Sequence, residues 1–143
     1  IGTDEETIWG TGGNLNWGND GRVYAVSSST DDTFGGDGAN TITVEGLDDD
    51  YNFKTSTVNL AGQVKVLLGS YARVNRAYVT LAGVNGTTAG TITLTSSDNS
   101  KTYSTFDGSS NQTQMAVYTV PAGHTLYLDD INFTSALSPT EIS

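Results

Sequence analysis

The chain has 143 residues and a formal net charge of −10, with 16 acidic side chains against 6 basic ones. An acidic surface repels phosphate backbones, and no apolar run approaches the ~20 residues that span a bilayer, so we expect neither nucleic acid nor a membrane as a partner. The absence of cysteine excludes disulfides and thiolate metal sites. The 17 glycines and the 36% of hydrophobic residues are typical of one domain of short strands and tight turns.

The predicted elements, taken in chain order, are strands and turns. Residues 1–20 form an irregular glycine-rich arm, residues 21–135 the β-sandwich domain and residues 136–143 a polar tail. Alternating apolar side chains between turn signals predict strands at residues 22–27, 41–45, 52–60, 63–68, 71–82, 91–95 and 101–106. Loops are predicted at residues 31–38, 48–50 and 83–90. The strands at 52–60 and 63–68 are expected to form a hairpin around Ala61 and Gly62.

The clearest strand pattern lies in residues 113–128. Apolar and polar side chains alternate along two arms, and Pro121 and Gly123 mark the turn between them. With its continuation to Phe133, this pair brings the total to about eight or nine strands. The expected fold is therefore all-β: a single-domain antiparallel β-sandwich, jelly-roll-like, with an up-and-down barrel as the alternative.

Few residues have the chemistry that catalysis needs. His124 is the only histidine and follows the predicted turn, so we expect an exposed turn residue rather than a catalytic one. Glu45 follows Val44 in a strand and is expected to face outward, and no credible acid and base pair for glycoside hydrolysis accompanies it. The sequence therefore predicts that the protein is not an enzyme.

Acidic residues occur in two pairs and one run of three, which could supply oxygen ligands to calcium. The pairs are Asp31 with Asp32 and Asp129 with Asp130, and the run covers residues 48–50. None of them follows the EF-hand spacing, and adjacent strand residues point to opposite faces. We expect no cofactor and no metal, with calcium as the minor alternative.

Two groups of side chains suggest contact surfaces. Arg73 and Arg76 are the only close basic pair; on a regular strand they point to opposite faces, and each could meet a carboxylate across a subunit contact. Six aromatic residues could form a platform that stacks on sugars, although packing in a core or an interface is favoured for them. These are Trp9, Trp17, Tyr24, Tyr71, Tyr78 and Tyr118.

Five segments stand out by their order along the chain: EETIW at 5–9, ANTITVEGLDDDYN at 39–52, YARVNRAYV at 71–79, GTTAGTITLT at 86–95 and QMAVYTVPAGHTLYL at 114–128. Together they resemble a pattern found in virion proteins of tailed bacteriophages, many of them from aquatic environments. The resemblance lies in the general character of these segments and in their order, and it covers nearly the whole chain. It implies a small β-rich structural component of the particle, and it assigns no catalytic residue to this chain.

Within that class, the favoured interpretation is a capsid decoration or cement protein on the outer surface of the phage head. Its expected partners are the major capsid protein and copies of itself, as a homotrimer or another homo-oligomer. Ile8 and Trp9 are the expected anchors of the arm, and Trp17, Arg73 and Arg76 complete the expected interface. The alternative is a receptor- or carbohydrate-binding module of a tail or head fibre, which would bind glycan through exposed Trp and Tyr side chains, Trp17 among them, and the loops at 31–38 and 83–90.

Overall fold

The computed structural model describes residue 16, residues 21–115 and residues 117–132. Seven strands form in these ranges: β1 (Arg22–Ser27), β2 (Ala39–Leu47), β3 (Phe53–Asn59), β4 (Val66–Ser70), β5 (Arg73–Ala82), β6 (Ile92–Thr95) and β7 (Thr102–Phe106). No described residue belongs to a helix, so a helix long and apolar enough to span a bilayer is also missing from these ranges.

The strands form two sheets in which every pair is antiparallel. One sheet has the order β4-β1-β6-β7 and the other the order β3-β2-β5. The chain crosses from one sheet to the other after β1, β3, β4 and β5. This arrangement confirms the predicted all-β class and is consistent with a β-sandwich.

One apolar core includes side chains from both sheets. Along β2 the alternation places Ile42 and Val44 in the core, where both are fully buried. Burying a large apolar side chain stabilises the fold by roughly 1.5–3 kcal/mol, so this apolar core supplies most of the driving force for folding. Its largest members are Tyr71, Tyr103, Phe106, Ile42, Ile92 and Leu94.

The predicted hairpin between the third and fourth strands does not form. β3 pairs with β2 in one sheet, whereas β4 pairs with β1 in the other. Between β3 and β4, Gly62 adopts a φ of 60° and hydrogen-bonds both to the last residue of β1 and to the loop that follows β1. Its N–H donates to the carbonyl of Asp32, and its own carbonyl accepts from the N–H of Ser27. These bonds hold the connection against the end of β1 and so direct β4 to the opposite sheet.

The predicted strand pair within residues 113–128 does not form either. All of residues 117–132 are described, and none lies in a strand. The predicted turn is present, because Gly123 has a φ of 74° and the N–H of His124 donates to the carbonyl of Pro121. A strand needs a hydrogen-bonded neighbour as well as the right alternation. The described residues therefore form seven strands rather than the eight or nine predicted.

A buried carboxylate joins the two sheets next to the end of β1. Asp32 is fully buried, and its two oxygens accept four hydrogen bonds. Oδ1 accepts from the N–H groups of Ala39 at 2.7 Å and Ala89 at 2.8 Å. Oδ2 accepts from the N–H of Gly90 at 2.9 Å and the hydroxyl of Ser27 at 2.5 Å. One side chain thus ties together the end of β1, the start of β2 and the loop before β6.

Replacing Asp32 with Asn should lower the free energy of unfolding by about 2–4 kcal/mol, because the amide nitrogen would face hydrogen-bond donors that need an acceptor. The control is Asp31→Asn, which alters an exposed neighbouring side chain and should change stability by less than about 0.5 kcal/mol. Urea unfolding followed by circular dichroism measures both. Equal stability of the two variants would contradict the role assigned to Asp32.

Candidate functional site

The predicted interface residues fall into two groups. Ile8, Trp9 and Trp17 lie outside the described residues, and their role stays a prediction. Arg73 and Arg76 lie on β5, where their partners across the sheet are Leu47 and Glu45. Those two partners are two positions apart on β2 and therefore share a face.

A β-bulge in β5 places both arginines on one face of the sheet. Positions 45 and 46 of β2 pair with Arg76 and Val74, which leaves Asn75 as an extra residue. The extra residue interrupts the alternation, so Arg73 lies on the same outer face as Arg76. The expectation of opposite faces, which assumed a regular strand, was therefore wrong.

Arg76 pairs with a carboxylate of its own chain, Glu45. Its Nε donates to Oε2 of Glu45 at 2.8 Å, and its guanidinium lies 4.8 Å from the centre of the Tyr78 ring. The Tyr78 hydroxyl donates to Oε1 of Glu45 at 3.3 Å. The hydrogen bond to Glu45 and the charge of that carboxylate raise the pKa of Arg76 above its ordinary value. The pair confirms that Glu45 faces outward, and it leaves this part of the face with little net charge.

A groove lies between this outer face and a wall formed by Met115 and residues 117–126. Its first part, of about 250 Å³, is lined by Glu45, Asn75, Arg76 and Met115, among others. Its second part, of about 360 Å³, is lined by residues that include Pro121, His124 and Leu126. Phe53 and Tyr118 line both parts, so the two depressions lie side by side along this face.

The two shared aromatic side chains leave more than half of their surface open to solvent. Phe53 is 57% exposed and Tyr118 is 60% exposed. Sequence reasoning missed Phe53, because its position at the start of an edge strand gives no sign of which side chains surround it. The other described aromatic residues of the predicted platform lie elsewhere: Tyr71 in the core, Tyr24 beside Lys65 and Tyr78 beside Arg76.

Asn75 brings an unsatisfied amide to the groove. The side chain is only 4% exposed, and its Oδ1 accepts a hydrogen bond from the N–H of Thr119 at 2.9 Å. Within the part of the chain that the structure describes, its Nδ2 is buried without a hydrogen-bond partner. A buried donor without an acceptor costs about 1–3 kcal/mol, so an acceptor supplied at this point would be stabilising.

His124 is an exposed turn residue, as predicted. Its ring Nδ1 lies 3.0 Å from the carbonyl of Ala122, and its backbone N–H closes the turn. The ring lines the second part of the groove, where it adds a polar group to a largely apolar wall.

In each acidic cluster considered for calcium, at least one carboxylate accepts hydrogen bonds from within the chain. Both oxygens of Asp32 are used, and Oδ1 of Asp48 accepts from the N–H groups of Asp50 and Asn52. Oδ2 of Asp130 accepts from the amide of Asn132. Among the described residues, no three acidic or histidine side chains come together in a way that could hold a metal ion.

The segment 117–132, named the C-terminal segment here, carries a series of exposed apolar side chains. Its start is tied to the domain through Thr119, and the N–H of Ala122 donates to the carbonyl of Tyr51 at 2.9 Å. Beyond the turn, four apolar side chains are each more than half exposed: Leu126, Tyr127, Leu128 and Ile131. Clustered exposed apolar side chains mark interaction surfaces in soluble proteins.

Comparisons of the chain with protein-family models, with curated proteins and with solved structures gave no match. Its function is therefore argued from its own residues.

Replacing Gly46 with Ala should disrupt the bulge beside the groove and lower the free energy of unfolding by about 1–3 kcal/mol. The reason is that a Cβ at Gly46 would collide with the carbonyl of Arg73. Gly108 is the matched control, since a Cβ there would have its nearest neighbours at 3.7 Å or more, an ordinary contact distance. Thermal unfolding of Gly46→Ala and Gly108→Ala provides the measurement, and a Gly46 variant as stable as the control would refute this account.

Proposed function

We propose that this chain is a non-enzymatic structural protein of a bacteriophage virion, a capsid decoration or cement protein on the outer surface of the head. Its partners are the major capsid protein and copies of itself, assembled as a homo-oligomer such as a trimer. The virion class comes from the resemblance of the five segments described above. The proposed topology of the sandwich is jelly-roll-like. It is supported by the four crossings of the chain between its two sheets, after β1, β3, β4 and β5.

The observation that supports assembly is the exposed apolar part of the C-terminal segment. Tyr127 is 84% exposed and its neighbour Leu128 is 65% exposed, although both follow the alternation of a strand. Covering side chains of this size stabilises a contact by roughly 1.5–3 kcal/mol each. A segment that lies in no strand of the described residues can also pair its backbone with another chain.

The charge distribution favours copies of this chain as the occupant of that surface. The chain as a whole carries −10, so copies repel each other over most of their surface. Residues 108–128, in contrast, contain no Asp, Glu, Lys or Arg. This uncharged stretch is where two acidic molecules can approach closely at the least electrostatic cost.

Cryo-electron microscopy of virions that contain this chain tests the location. We expect density for a β-sandwich at regular symmetry positions over the head lattice, in contact with the major capsid protein. Density at the tail tip or along the fibres would replace this proposal with the fibre-module alternative. Absence of the chain from the particles would refute the virion role.

The double variant Tyr127→Ser/Leu128→Ser should shift the purified chain from oligomer toward monomer, because it removes apolar surface from the contact. Size-exclusion chromatography with light scattering over a range of concentrations measures this. Val84→Ser is the control, since Val84 is 83% exposed but lies in the loop at 83–90. A wild-type chain that stays monomeric, or a double variant that assembles as the wild type does, would contradict self-assembly through this segment.

A further inference from the structure

We infer that the groove is a binding site for a neutral carbohydrate chain, which packs against Phe53 and Tyr118 and hydrogen-bonds to Glu45, Asn75 and Arg76. This inference does not depend on the virion role. It also places the site away from the loops at 31–38 and 83–90, which the sequence suggested as part of a glycan-binding surface.

The aromatic contacts come from the two side chains that border both parts of the groove. Phe53 and Tyr118 each expose more than half of their surface, so a ligand that crosses from one part to the other passes both rings. Sugar rings present C–H faces that pack on aromatic rings, and aromatic residues supply large contact area with few rotatable bonds. The larger part, of about 360 Å³, falls within the range of ~300–1,000 Å³ that small-molecule sites use, and the smaller part, of about 250 Å³, lies just below it.

The polar contacts match a ligand that carries many hydroxyl groups. Glu45 accepts hydrogen bonds, the guanidinium of Arg76 donates them, and a hydroxyl can do both. The two charged groups lie 2.8 Å apart and offset each other, so the site offers no net charge to an ionic ligand. A neutral polyhydroxylated chain can bind to their outer atoms without separating the pair.

The side chain of Asn75 also indicates a ligand. The residue lines the first part of the groove, and its buried Nδ2 has no hydrogen-bond partner among the described residues. The β-bulge places this side chain there, and bulges occur preferentially beside binding sites, where they redirect side chains. A ring or hydroxyl oxygen of a bound sugar would supply the acceptor that this amide lacks.

An apolar peptide fits the same groove less well. Its apolar side chains would cover Glu45, Asn75 and Arg76 without giving them hydrogen bonds, which leaves only backbone groups to do so, and burying polar groups without partners is unfavourable. The combination of open aromatic faces, a hydrogen-bonding ion pair and one unsatisfied amide therefore favours carbohydrate over a hydrophobic segment.

The test uses the full chain and a panel of neutral oligosaccharides: oligomers of glucose, mannose, galactose and N-acetylglucosamine. Saturation-transfer NMR detects binding, and isothermal titration measures the dissociation constant. We expect at least one oligomer to bind at millimolar or lower concentration. Phe53→Ala and Tyr118→Ala should each weaken that binding by about tenfold or more, whereas Tyr118→Phe, which keeps the ring, should retain it.

Phe34→Ala is the matched control, because Phe34 is 62% exposed but lies in the loop at 31–38, away from the groove. Its binding should equal that of the wild type, and circular dichroism checks that every variant is folded. Absence of binding to the whole panel would overturn the inference. So would binding that survives both groove variants, or binding that is lost in Phe34→Ala, since either result would place the glycan elsewhere.

Discussion

The buried carboxylate of Asp32 is the constraint on which one end of the sandwich depends. A charge removed from water is tolerated only when hydrogen bonds replace its hydration, and this carboxylate receives four. Its donors come from Ser27 in β1, Ala39 in β2 and the loop that leads into β6. Because these elements belong to both sheets, the requirement to satisfy one side chain brings the two sheets together in a defined way.

The outer face of the β3-β2-β5 sheet owes its shape to the irregularity of β5. The bulge at Asn75 brings Arg73 and Arg76 to one face, and Gly46 allows the strands to approach closely at that point. The ion pair of Arg76 with Glu45 then sits beside open aromatic side chains. A regular strand would have placed the two arginines on opposite faces and would have removed the unsatisfied amide from the groove.

The C-terminal segment contributes to both proposals through different side chains. Tyr118 lies before the turn and borders the groove, whereas Tyr127 and Leu128 lie beyond it and do not line the groove. Self-assembly through the second half of the segment would therefore leave the aromatic border of the groove in place. A decoration protein built in this way would hold the particle surface together and also present a glycan-binding groove, so the two roles are compatible.

The sequence by itself determined the local features: the bounds of β1 at Arg22–Ser27, the long strand β5, the loops and the outward position of Glu45. These follow from period-two alternation and turn residues, which neighbouring positions encode. Tertiary structure decided the sheet that β4 joins, the bulge at Asn75, the lack of a strand within residues 117–132 and the use of Asp32 as a hydrogen-bond acceptor. Each of these depends on partners far along the chain, such as the donor at Gly90 for Asp32, and the local pattern carries no information about them.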